Sequence, residues 1–250
     1  MLRNTFVHIP GIGYQTERRL WEIGIKEWDD FLIRSEKIPL ARGRRELASD
    51  YLEASKRHLE RGNHRFFVNT LPKRELWRAY QEFKDSTAFL DIETTGLDLG
   101  RHEITLIGVY DGKGVRTFIR GKNLHSFPQE IRRFRSIVTY NGSRFDIPFI
   151  RSTFPRLLLH HIHIDIMYPL RRLGYRGGLK AIERMVGVNR SKETADLSGW
   201  DAVQFWKRYL RGDRIALELL EKYNREDTKN LETLSNLAYE KLRRECFPWG

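Results

Sequence analysis

The chain has 250 residues, 40% of them hydrophobic, 12% aromatic and 31% charged, a balance that specifies a folded protein with a substantial core and argues against disorder. Lys and Arg number 45 against 33 Asp and Glu, a formal net charge of +12, so polyanions, nucleic acid first, are the expected partners. A single cysteine, Cys246, can form neither an internal disulfide nor a thiolate metal centre, and no apolar run reaches the ~18 residues of a membrane span; a cytoplasmic protein in a reducing compartment, with no membrane association, is expected.

The first predicted elements surround Pro10-Gly11-Ile12-Gly13. Ile12, Leu20, Ile23 and Ile25 are spaced for two short helices packed through a tight loop, with Gly11 and Gly13 free to take φ > 0. The stretch from Phe6 to Leu32 resembles the helix-hairpin-helix motif. That resemblance implies that exposed amides around Gly11, Gly13 and Tyr14 hold a nucleic-acid phosphate without reading sequence. A basic start at Arg42, Arg44 and Arg45 then gives way to a helical pattern through Leu47, Tyr51, Leu52 and Leu59, ending at Gly62. A helical nucleic-acid-binding region is accordingly expected over residues 1–65. Pro72 suits the first turn of a helix and Leu76, Tyr80 and Phe83 lie on one side of it, so residues 66–85 predict a linker helix.

From Ser86 the pattern changes to strands. Ala88 to Asp91, Ile104 to Asp111 and Val115 to Arg120 read as consecutive strands, the last two joined by an Asp111-Gly112-Lys113-Gly114 turn. A polar helix around Phe127 to Phe134 leads to the apolar strand Ser136 to Tyr140, then to Asn141 and to Asp146, placed where a helix could begin. An apolar strand passes through His160, His161, His163 and Asp165. His161 and His163 share one face of it and His160 points away, with no cysteine near, which disfavours zinc; Asp165 and Arg171 are expected in structural contacts. Arg176, Gly177, Gly178 and Lys180 stand at a helix entrance suited to phosphate. The last third is helical, ending in a long run from Asp213 to Leu242. Strands first and alternation with helices afterwards predict an α/β domain over residues 86–250, a mixed sheet with helices on both faces.

The chemistry concentrates at Ala88 to Gly96. Alternation along a strand puts Asp91 and Glu93 on one face, and two acids aimed together are costly unless a cation sits between them. Their hard oxygens suit Mg²⁺ or Mn²⁺. Asp146 by itself fits a helix N-cap as well as a metal ligand. Tyr223 and Asp227, four apart in a helical run, share one face.

In order, Asp91 to Gly96 (DIETTG), Tyr140 to Asp146 (YNGSRFD) and Tyr223 to Thr228 (YNREDT) resemble the three motifs of the DnaQ-like, ribonuclease-H-like 3′–5′ exonucleases. The tyrosine four residues before the last aspartate resembles the tyrosine-type (DEDDy) branch, since the histidine-type branch would want His where this chain has Lys222. The second and third motifs are also similar to those of the proofreading domain of family B DNA polymerases, and His163 to Val188 resembles the YprB-type ribonuclease-H-like family. The resemblance implies a ribonuclease-H-like mixed sheet of five strands flanked by helices. It also implies that Asp91, Glu93, Asp146 and Asp227 ligate two divalent cations, Mg²⁺ or Mn²⁺, and that Tyr223 orients the attacking water. Further nucleic-acid contacts are expected from Thr94, Thr95, Asn141, Arg176 and Lys180. The expected activity is 3′–5′ exonucleolytic hydrolysis of DNA, favoured over RNA, at single-stranded or frayed ends. The alternatives are a nuclease of RNA or RNA–DNA hybrids, and a non-catalytic nucleic-acid-binding repair subunit.

Overall fold

The computed structural model describes residues 1–248. The chain divides into two compact units, one of residues 1–84 with 160–162 and the other of residues 85–159 with 163–250.

The first unit is helical: α1 (Tyr14–Glu22), α2 (Trp28–Arg34), α3 (Arg42–Glu60) and α4 (His64–Thr70), followed by 3₁₀ runs at Lys73–Ala79 and Gln81–Ser86. Phe6, Trp28, Phe31, Leu52 and Phe67 are buried at its centre. Among them sits an ionic knot. The buried Glu17 carboxylate accepts Thr5 Oγ1 at 2.8 Å, the Phe6 amide at 2.7 Å and Arg78 Nη1 at 2.9 Å, and Arg78 Nε donates to Glu75 at 2.7 Å.

Two local expectations change here. The Pro10–Gly13 turn runs directly into α1, and ahead of it stands only a 3₁₀ turn at Leu2–Asn4 rather than a second helix. The amides of Phe6 and Val7 are drawn to the Glu17 carboxylate, which takes them out of any helical ladder. Gly11 does take positive φ, at +79°, but Gly13 is extended at φ −98° and serves as the N-cap of α1. The helix expected near Pro72 is instead 3₁₀. In a 3₁₀ turn side chains three apart eclipse, which is the spacing that brings Glu75 onto Arg78.

The second unit holds the sheet. Its elements are β1 (Thr87–Thr94), β2 (Ile104–Tyr110), β3 (Val115–Ile119), α5 (Phe127–Ile131), β4 (Ser136–Thr139), α6 (Asp146–Thr153), β5 (Ile162–Asp165), α7 (Met167–Arg172), α8 (Leu179–Val186), α9 (Gly199–Leu210) and α10 (Arg214–Cys246). The strand order is β3-β2-β1-β4-β5, with β1 antiparallel to β2, β2 antiparallel to β3, and β1 parallel to β4. This is the mixed sheet with flanking helices that the pattern predicts, with the five strands that the resemblance implies. The Asp111 carboxylate closes the β2–β3 turn by accepting the amides of Lys113 and Gly114.

Each face of the sheet has its own core. Ala88, Leu90 and Ile92 of β1 pack with Phe127, Ile131, Phe149 and Ile150 of α5 and α6. On the other face Leu106 and Ile119 meet Phe205 and Trp206 of α9 and Ala216, Leu220 and Tyr223 of α10. Asp91 and Glu93 alternate with Leu90 and Ile92, so the period of two turns both acids toward α9 and α10.

Candidate active site

Strand β1 and helix α10 build the centre. Asp91 lies opposite Gly108 of β2 and Glu93 opposite Leu106, and the register then shifts between Glu93 and Thr94, which pairs with Ile104. Helix α10 starts with Asp213 capping the Ala216 amide and runs 33 residues without a break. About two and a half to three and a half turns in, it lays Tyr223 and Asp227 over the two strand acids. The structure brings Asp91, Glu93 and Asp227 together: ligand oxygens of all three lie within 4.8 Å of one another. Both Tyr223 and Asp227 are buried.

Asp146 is the first residue of α6, and its carboxylate accepts backbone amides, its own and that of Ile92. It stands beside the three-acid group, close enough for its charge to act on Asp91 and Glu93. The loop that delivers it is fastened by Asp165, whose carboxylate accepts the amides of Asn141 at 2.8 Å, Ser143 at 3.0 Å and Met167 at 3.3 Å. That clamp holds Asn141 in the left-handed region, φ +60°, a conformation asparagine tolerates better than most residues. Gly142 has no room for a side chain, since a Cβ there would sit 2.2 Å from Thr139 Oγ1.

Four acids converging in a buried place perturb one another. Burial first, and then the neighbouring charge of Asp227, pushes Asp91 and Glu93 well above the usual carboxylate range. Burial also raises Asp146 to about 7 and Asp227 to about 6, the latter held down by the Arg190 guanidinium. Tyr223 is raised by burial and by Asp227, Glu93 and Asp91, so its hydroxyl stays protonated and is a hydrogen-bond donor.

A ribonuclease H superfamily model matches residues 88–239, the segment that carries β1, Asp146 and the Tyr223–Asp227 turn. The chain belongs to the ribonuclease H superfamily. Among solved structures it is similar to the family B DNA polymerase of the hyperthermophilic archaeon Pyrobaculum calidifontis, at 16% identity and a TM-score of 0.47, over 63% of this chain and 24% of that one. No curated protein matches it.

Membership in the ribonuclease H superfamily suggests a nuclease, and nucleases of this superfamily use divalent metals. The donor set fits such an ion: three carboxylate oxygens lie in one small volume, hard ligands with no sulfur among them.

Other side chains surround the acid cluster, and of them only Lys180 is among the residues singled out from the sequence. Asn224 Nδ2 donates to Asp91 Oδ2 at 2.8 Å. Arg190, from the loop after α8, pairs with the Asp227 carboxylate and donates to both oxygens of the buried Glu183, at 2.5 and 2.7 Å. Glu183 also accepts Asn230 Nδ2 at 2.9 Å. Lys180 lies with its ammonium 4.6 Å from the Tyr223 ring centroid and Arg190 at 5.9 Å, so two cations border the tyrosine.

The remaining sequence candidates have various surroundings. Thr94 Oγ1 donates to the Gly96 carbonyl at 2.6 Å, and Thr95 Oγ1 accepts the Glu103 amide at 3.1 Å, so both hydroxyls shape the loop after β1. Lys180 Nζ donates to the Thr194 carbonyl at 3.1 Å. Arg176 is exposed, beside Gly177, whose carbonyl accepts the Tyr140 hydroxyl at 2.5 Å. In the helical unit Tyr14 accepts Arg74 Nε at 2.7 Å, with the guanidinium 4.7 Å over its ring, and Gly11 and Gly13 flank the turn already described.

Proposed function

We propose that the protein is a divalent-metal-dependent 3′–5′ exonuclease that hydrolyses phosphodiester bonds of DNA at single-stranded or frayed ends, with two cations at the acid cluster. The observation that carries this reading is the convergence of Asp91 and Glu93 with Asp227, 134 residues beyond Glu93 in the chain, to within 4.8 Å, with Asp146 and Tyr223 beside them. A scaffold or binding subunit has no use for buried acids that raise one another's pKa. The 3′–5′ polarity and the choice of DNA follow the motif resemblance.

In this reading Asp91, Glu93, Asp146 and Asp227 would hold the divalent cations. A divalent pair, when bound, lowers the pKa of a water and stabilises the departing oxygen. Tyr223 acts by position: its protonated hydroxyl donates a hydrogen bond that aims the water at phosphorus, a role that needs no loss of its proton. Arg190 keeps one oxygen of Asp227 engaged, and Glu183 keeps Arg190 in place. Lys180, Arg190 and the excess of basic residues draw the phosphate backbone toward the site. The Pro10–Gly13 region would add affinity for the substrate by tethering it, a contribution that weakens with salt.

The test is incubation with 5′-labelled and 3′-labelled DNA and RNA oligonucleotides and with a circular single strand, in Mg²⁺, Mn²⁺ or chelator, beside Asp91→Ala. A ladder on linear DNA alone, abolished by chelator and by the substitution, is the expected outcome. Cleavage of the circle would replace exonuclease with endonuclease, preference for RNA would move the substrate, and undiminished cleavage by Asp91→Ala would place the chemistry elsewhere.

A further inference from the structure

One side chain touches both strand acids. Asn224 is fully buried, and its Nδ2 lies 2.8 Å from Asp91 Oδ2, 3.2 Å from the Asp91 carbonyl oxygen and 3.4 Å from Glu93 Oε1. The other end of the same amide is stranded: Oδ1 is buried and, among the described residues, has no hydrogen-bond partner. Buried amides ordinarily satisfy both ends. Here the group is turned nitrogen-first onto two carboxylates at the expense of its own oxygen.

The space for that oxygen comes from β2. Gly108, the register partner of Asp91, faces Asn224 so closely that a Cβ at position 108 would sit 1.9 Å from Oδ1 and 2.9 Å from Thr228 Cγ2. Any residue but glycine would force the amide out. Helix α10 therefore contributes three consecutive features within little more than a turn: the Tyr223 phenol, the Asn224 amide and the Asp227 carboxylate.

We propose that Asn224 is a positioning residue for the metal ligands, its amide holding Asp91 and Glu93 in the ligating orientation, with Gly108 as the slot that admits it. This rests on the metal-dependent reading of the acid cluster. Two like-charged side chains on one strand face repel and would splay when no cation lies between them, and a neutral donor shared by both opposes that movement. A lysine in its place would compete with the cation, and an aspartate would add another negative charge. Groups that orient metal ligands in this way matter to the affinity of the site.

The test is calorimetric titration of the full chain with Mn²⁺, which reads binding without turnover. Asn224→Leu keeps much of the side-chain shape and removes the N–H groups, and Asn224→Ala removes the amide in a smaller side chain. Both are expected to weaken Mn²⁺ binding by about 10- to 100-fold with an unchanged circular-dichroism spectrum. Gly108→Ala, which alters no acid, is expected to show the same loss, because its Cβ displaces the amide. Adding Gly108→Ala to Asn224→Ala is expected to cost no more than about a further twofold, the error of simple additivity, since the displaced group is already gone. A role in packing alone would leave the affinity of the leucine variant at the wild-type value. Mn²⁺ binding within about twofold of wild type in either folded Asn224 variant overturns the proposal. Absence of Mn²⁺ binding by the wild type overturns the metal-dependent reading itself, and this proposal with it.

Discussion

Metal binding at the acid cluster should release protons, and the amount is set by the raised carboxylates. With Asp146 titrating near 7 and Asp227 near 6, at pH 6 the first holds about 0.9 of a proton and the second about 0.5. Both are nearly empty at pH 8. Cations bind the ionised form only, so these two groups alone weaken apparent affinity at pH 6 by about (1 + 10) × (1 + 1), roughly 20-fold relative to pH 8. The raised Asp91 and Glu93 act in the same direction. The sign for stability is opposite. An acid raised from 3.8 to about 7 stabilises the metal-free fold fully below the unfolded value, and that contribution is lost as pH climbs through 7; about 4 kcal/mol corresponds to a shift of this size. The metal-free protein is therefore expected to melt lower at pH 8 than at pH 5.5, with Mg²⁺ restoring it at pH 8. Calorimetry in two buffers of different ionisation enthalpy counts the released protons. Affinity that does not change between pH 6 and 8, with no proton release, would refute the carboxylate crowding on which this rests.

Two further outcomes are expected. Tyr223→Phe removes one hydroxyl from a group argued to aim water, so single-turnover cleavage should slow by about 10²- to 10³-fold, the cost of losing one positioned hydrogen-bond donor, while Mn²⁺ affinity measured by calorimetry stays at the wild-type value; a parallel loss of metal binding would make the tyrosine part of the metal-binding scaffold. Arg78→Met leaves Glu17 and Glu75 buried without their cation, and breaking a buried pair in this way costs about 3–5 kcal/mol. The denaturation midpoint should fall accordingly, and a change below about 1 kcal/mol would show that the Thr5 hydroxyl and Phe6 amide suffice to hold Glu17.

The membership of the site was only partly visible in the sequence. Asp91 and Glu93 were legible because strand alternation is a property of two neighbouring peptide units, and Tyr223 with Asp227 because four residues make one helical turn. Asp146 was ambiguous by the same standard, and only its position at the start of α6 against Ile92 makes it a neighbour of the cluster. Asn224 falls inside the Tyr223–Thr228 motif but was given no role, because one asparagine in a helix is read as a surface residue until the strand opposite it is known. Gly108 looked like an ordinary small residue in an apolar strand. Arg190 lies in a stretch without periodicity, so nothing local pointed it at Asp227. The Pro10–Gly13 turn misled about the segment before it, since Glu17, a residue of the following helix, captures the amides of Phe6 and Val7. The helix near Pro72 became 3₁₀ for a related reason, the eclipsed pairing of Glu75 with Arg78.

By itself the sequence determined the periodicities: which residues alternate toward one face of β1, which recur along α10, and where the turns between strands fall. Those are short-range consequences of backbone sterics and of burying apolar side chains. Tertiary structure alone decided which distant groups meet. The amide of Asn224 reaches Asp91 across 133 positions of chain because the sheet order sets β2 beside β1 and because Gly108 lets α10 approach closely enough. Contact at such range depends on the packing of whole elements, and no local pattern encodes it.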